Sequence, residues 1–236
     1  MTSDAPSAAR APQSVHRYFL AVCGFAFLLA LACSLVCYFE VGGSLGLFIG
    51  GIASAALLLP YLTRFDTRAS RELLIALAYP LAIAIVWLVA SFQFGIPILQ
   101  LVKSVLVLAA FSFAIVSLKS ALMRATRCDV VASAITVVLA LAWLSWPIWM
   151  SRGVVGHQTL AGWLVRLHPI FAINGAMPQL GTWTHQPLMY HLTNLGQDVP
   201  YELPASIWPC AIAHLMIGAA LVAANIHRIL PDPSRG

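Results

Sequence analysis

Long apolar runs separated by short polar or basic segments dominate the pattern of this 236-residue chain. Six runs stand out: Tyr18–Phe39, Leu45–Leu62, Leu73–Phe92, Pro97–Leu118, Val130–Trp149 and Ile207–Ile226. A hydrocarbon core about 30 Å thick is crossed by about 20 helical residues at about 1.5 Å rise each, so every run predicts one spanning helix. Five runs contain no Asp, Glu, Lys or Arg, and the fourth carries only Lys103. The expected fold class is therefore an all-α polytopic membrane protein with six transmembrane helices. Between the fifth and sixth runs lies an outer loop of interfacial or re-entrant segments.

That loop, residues 151–206, is the one sizeable piece outside the runs. Gln158–His168 has apolar residues at helical spacing and predicts an interfacial helix ended by Pro169. Ile170–Pro178 is too short to span and suits a re-entrant or membrane-resting segment. The remainder of the chain divides simply. Residues 1–17 and 229–236 read as short tails rich in Ser, Pro, Ala and Arg, flexible and cytoplasmic, around a membrane domain over 18–228.

Within the runs, residues at special spacing predict packing. Gly42, Gly46, Gly50 and Ser54 recur every four residues and fall on one helix face, where another backbone can approach closely. That face predicts a helix-packing seam, within the chain or between two copies. Pro80 predicts a kink in the third helix, and Pro97 opens the fourth, where its missing N–H costs nothing. Lys103, about two turns into the fourth helix, can snorkel to the interface. Lys119–Asp129 reads as a basic loop, and Trp143, Trp146 and Trp149 as an aromatic belt.

Composition agrees: 61% of residues are hydrophobic and 9% charged. The net charge of +5 records topology rather than a nucleic-acid partner. With the N-terminus inside, Arg10, Arg17, Arg64, Arg68, Arg71, Lys119, Arg124, Arg127, Arg228 and Arg235 share one side, and only Arg152 and Arg166 the other. Such a bias places both termini in the cytoplasm, with a bacterial inner membrane the expected location. Cys23, Cys33, Cys37, Cys128 and Cys210 show no CxxC spacing and read as packing residues.

Candidate chemistry sits mainly in the outer loop. His168, His185, His191 and Asp198 use the residue types of metal and acid–base sites, yet no HExxH or HxH spacing occurs. No cofactor is predicted, and whether a metal binds is left open; haem ligation through His214 is a further alternative. No P-loop or GxSxG stretch is present, so ATP-driven work requires a second polypeptide.

Three stretches carry a family resemblance: Ser117–Arg124 as a cytoplasmic turn, Trp143–Pro147 as a helix end outside, and Trp163–Ile173 as an apolar segment before the last helix. In this order they resemble the type-2 permease family of ABC transporters, with His168-Pro169 where that family often has Asn-Pro. The resemblance implies six helices, with a separate cytoplasmic ATPase and a second permease copy or homologous subunit as partners. It also implies a coupling segment between the second and third helices. Here that segment includes Arg64, Phe65, Asp66, Arg68 and Arg71. The competing classes are a membrane enzyme or cofactor-handling protein using the outer loop, and a non-catalytic membrane scaffold.

Overall fold

The computed structural model describes residues 24, 27–39, 43–63 and 69–227. Among the described residues, five helices are long and apolar enough to cross a bilayer. They are α2 (Gly43–Leu62), α3 (Ala69–Phe94), α4 (Ile98–Thr126), α5 (Asp129–Trp149) and α9 (Trp208–His227). A shorter apolar helix, α1 (Phe27–Cys37), covers the described part of the first run. Between α5 and α9 come three short helices, α6 (Gln158–Leu167), α7 (Pro169–Ala176) and α8 (Pro187–Leu192). Among the described residues there is no strand, only an isolated bridge between Leu195 and Val199.

α4 is the central post, packed by α2, α3, α5, α7 and α9. The outer helices show why. On α3 the buried positions Ala76, Tyr79, Ile83, Trp87 and Ala90 form one stripe at helical spacing, while Leu77, Leu81, Ile85, Val89 and Phe92 are exposed on the opposite side. That second face is apolar and belongs against lipid.

Small residues set the distances between helices. A Cβ at Gly46 would lie 2.1 Å from the Cys37 carbonyl oxygen, and one at Gly50 would lie 2.5 Å from the Ser34 Cα. The Gly46–Gly50 face is therefore occupied by α1 of the same chain; Gly42 lies outside the described residues. Ser54 turns to α3 instead, where it accepts a 2.8 Å bond from the Tyr79 hydroxyl. Gly51, which breaks the four-residue spacing, admits the ring of Trp87, whose Cζ2 would be 2.7 Å from an added Cβ. Gly218 does the same for Phe113 between α9 and α4.

One expectation fails outright. Lys119–Asp129 is not a loop: α4 continues through Thr126 and stops at Arg127, whose left-handed backbone (φ 55°) caps the helix through its N–H to Met123. No Gly or Pro interrupts Ser117–Thr126, and its Leu, Lys, Ala, Met and Arg residues favour helix, so nothing ends α4 sooner. Lys119 then points inward and is 1% exposed. Its ammonium donates to the carbonyl of Thr63, just beyond α2. It also lies 2.9 Å from Asp129 Oδ1 in the first turn of α5, an electrostatic contact without hydrogen-bond alignment. Ser133 Oγ donates to the Pro60 carbonyl at 2.9 Å beside it. The ends of α2, α4 and α5 are thus tied together. Lys103, by contrast, is exposed.

Candidate functional site

The chain departs from a plain bundle where α6 and α7 turn back into it. Pro169 occupies the first position of α7, where its fixed φ and absent N–H are tolerated. His168 precedes it in extended backbone, as a residue before proline prefers. A sharp break results, with α6 resting outside and α7 tucked in. α6 buries Ala161 and Val165 and exposes Leu160 and Trp163, with Arg166 over the Trp163 ring at 5.8 Å. α7 is buried from Pro169 to Asn174 against α2, α4 and α9.

His168 is wholly buried at the break. Its Nε2 lies 3.2 Å from the carbonyl of Leu144. Leu144 is five residues before the end of α5, about 7.5 Å along its axis. Because a carbonyl can only accept, Nε2 carries the proton and Nδ1 is left as a bare lone pair. Four aromatic rings enclose the imidazole. Trp183 stacks on it at 5.8 Å and 7°, Trp143 and Phe171 tilt at 5.5 and 5.2 Å, and Trp146 meets it edge-on at 6.2 Å. Burial pushes its pKa down from the usual 6.5 to about 3, against the opposing pull of the Leu144 carbonyl, and the nearby His214 adds to the lowering. This histidine is neutral.

Asn174 builds the enclosure. Fully buried, it donates from Nδ2 to the Gly181 carbonyl at 2.6 Å and accepts the Trp183 N–H on Oδ1 at 2.8 Å. Those bonds hold the 178–185 segment over α7 and set Trp183 against His168. Farther out, Thr184 and Tyr201 share a 2.6 Å bond, and Phe171 packs on Tyr201 at 5.2 Å. Burial pushes the Tyr201 hydroxyl above its usual range, with the Thr184 bond opposing. Gly175 abuts the carbonyl of Pro204, which an added Cβ would meet at 2.2 Å.

The predicted outer-loop residues do not gather in one site. His168 is internal. His185 borders a shallow cleft with Tyr201, and His191 lines a separate groove. Asp198 accepts from Asn194 Nδ2 at 2.8 Å. Among the described residues, no group of three or more His, Cys, Asp or Glu could hold a metal ion. His214 bonds its own helix through the Cys210 carbonyl at 2.8 Å, and Trp143 reaches toward both buried histidines. The arrangement supplies indole N–H donors and one imidazole acceptor, which is packing and hydrogen-bonding chemistry. Trp143, Trp146 and Trp183 Nε1 and His168 Nδ1 have no partner among the described residues.

Sequence reasoning missed Asn174, although a lone asparagine in the apolar stretch Ile170–Met177 was a readable signal. Arg64, Phe65, Asp66 and Arg68 lie outside the described residues, as does the side chain of Arg71. Comparison with family models, curated proteins and solved structures finds no match.

Proposed function

We propose that this chain is the membrane-spanning permease subunit of an ATP-driven, ABC-type transporter that works with a separate ATPase. The observation that carries the reading is the helix–break–helix of α6 and α7, folded back into the bundle in the connection between α5 and the last spanning helix, with 177–207 still to follow before α9. This is the feature that the type-2 permease resemblance assigns to that position.

A second observation fits the same reading. Thr63, the last described residue before the 64–68 segment, has its carbonyl held by Lys119 of α4, and Lys119 in turn reaches Asp129 of α5. A force applied to the 64–72 segment by a docked ATPase would be passed to three helix ends through one ammonium group. Phe65, an apolar ring among charges, is the proposed anchor, with Asp66, Arg68 and Arg71 at the rim. Both termini then lie on the ATPase side.

The test is purification of the full chain from its native membrane with its partners. An ATPase should co-purify, and the assembly should hydrolyse ATP in proteoliposomes. Phe65→Ala should release the ATPase while leaving membrane insertion intact. A preparation that contains no ATPase, or one that binds equally well to the Phe65→Ala chain, removes this reading in favour of a scaffold role.

A further inference from the structure

Where α5 leaves the bundle, a groove of about 430 Å³ opens between its last turn and the α8 region, a volume within the usual range of small-molecule sites. One part of its lining is apolar and exposed: Ile148, Trp149 and Leu192. The other part is polar and exposed: Arg152, Tyr190 and His191. The division follows the expected membrane boundary, because Ile148 and Trp149 belong to the spanning helix and Arg152 to the turn just past it.

The groove is built rather than incidental. The Trp149 indole donates back to the Ala142 carbonyl at 3.0 Å, which lays the ring along α5. Thr193 Oγ1 donates to the Pro147 carbonyl, anchoring the far wall to the same helix. Gln197 Nε2 bonds the carbonyls of Tyr190 and Thr193, which closes the α8 turn. Asn194 lines the groove, and its Nδ2 donates to the Asp198 carboxylate at 2.8 Å. Among the described residues no carboxylate pairs with Arg152.

We propose that this groove holds one glycerophospholipid, with its phosphodiester on Arg152, a primary ammonium headgroup beside Asp198, and an acyl chain along Ile148 and Trp149. A guanidinium matches a phosphate oxygen pair in shape and charge. Tryptophan prefers the level of the headgroups, with its ring toward the chains. Asp198 decides among headgroups. Its carboxylate finds only neutral hydroxyls on a glycerol headgroup and no hydrogen-bond donor on choline, whereas ethanolamine offers an ammonium that both donates to it and pairs its charge.

Native mass spectrometry of the purified full chain, with ethanolamine, choline and glycerol phospholipids of equal acyl length, tests the assignment. The ethanolamine lipid should be retained best, at one copy. Arg152→Gln should lower its retention about tenfold, as loss of one charge-assisted hydrogen-bonding partner implies. Arg152→Lys should fall between, because it keeps the charge and loses the fork. Asp198→Asn should erase the preference for ethanolamine over choline. Equal retention by the native and Arg152→Gln chains overturns the site. Displacement of the lipid by millimolar inorganic phosphate makes this a free-phosphate site and overturns the lipid assignment. The exposed positions of Arg152 and Asp198 mean that thermal unfolding of each variant should match the native chain, so a retention change reads binding.

Discussion

His168 stands where Pro147 has opened α5. A proline cannot donate to the carbonyl four residues before it, so Pro147 leaves the carbonyl of Trp143 without its helical partner. The imidazole of His168 sits beside this gap and donates from Nε2 to the carbonyl of the next residue, Leu144, at 3.2 Å. Two proline-linked irregularities, one in α5 and one at the α6–α7 break, are thus brought against each other.

This pairing makes the α6–α7 layer sensitive to acid. When the layer opens to water, His168 titrates near 6.5, whereas packed it titrates near 3. Between those values the open form binds more protons, so the packed layer keeps its full stability above pH 6.5 and loses it as pH falls toward 3. Amide hydrogen exchange over 158–176, corrected for intrinsic rates, should be faster at pH 5 than at pH 7.5. His168→Gln, which keeps an N–H donor without a titrating ring, should remove most of that difference, leaving whatever His214 contributes. Unchanged pH dependence in His168→Gln would falsify the assignment to His168.

Asn174 should tolerate no substitute that lacks either half of its amide. Asn174→Asp loses the donor to the Gly181 carbonyl and sets a carboxylate against it, while Asn174→Leu orphans both the Gly181 carbonyl and the Trp183 N–H. A loss of about 2–4 kcal/mol is expected in either case. Tryptophan fluorescence should also change as Trp183 leaves the His168 ring. Native-like emission and unfolding in both variants would show that the 178–185 segment is held by other means.

Much of this architecture is legible from residue chemistry, and the exceptions share a cause. The apolar runs mark α2 to α5 and α9 because lipid demands an apolar surface of fixed length. Pro169 marks the α6–α7 break because proline acts through local covalent geometry. The helix through Lys119 is written in its local residues, but the inward turn of its ammonium is hidden because the carbonyl that receives it lies 56 residues away. The pairing of His168 with α5 is hidden for the same reason: among four outer-loop histidines, only the packing of α7 against the bundle distinguishes it. Gly51 escaped notice because its partner is a Trp87 ring rather than a second small residue.

Lys119 offers a test in which two contacts of one group have different weights. Asp129 is 42% exposed, so water competes for its charge, and Asp129→Asn should cost less than about 1 kcal/mol. Lys119→Met keeps the volume but leaves the Thr63 carbonyl without the lysine donor, at a cost of about 1–3 kcal/mol. Unfolding midpoints in mixed detergent should rank the two variants in that order. The reverse ranking would give the ion pair the larger share.

Bulk on the Gly46–Gly50 face should separate α1 from α2. Gly50→Leu must displace backbone atoms of Ser34 and Cys33, and Gly46→Leu those of Cys37, so a loss of about 1–3 kcal/mol or more is expected. Leu47→Ile preserves volume and should cost less than about 1.5 kcal/mol. Protease sensitivity and yield in detergent report the difference, and equal behaviour of the three variants would mean that α1 is not held on this face.

The α1–α2 seam also has a consequence for biosynthesis. Its partners are close in sequence, nine residues apart for Gly46 with Cys37 and sixteen for Gly50 with Ser34. Contacts between sequence neighbours form early and without long loop closure. Once the ribosome has delivered α2, the first two helices can pair as a hairpin at the insertion machinery, before α4 exists to organise the remainder. The chain would then enter the bilayer with its first tight interface already made, and the later helices would assemble onto a preformed wall.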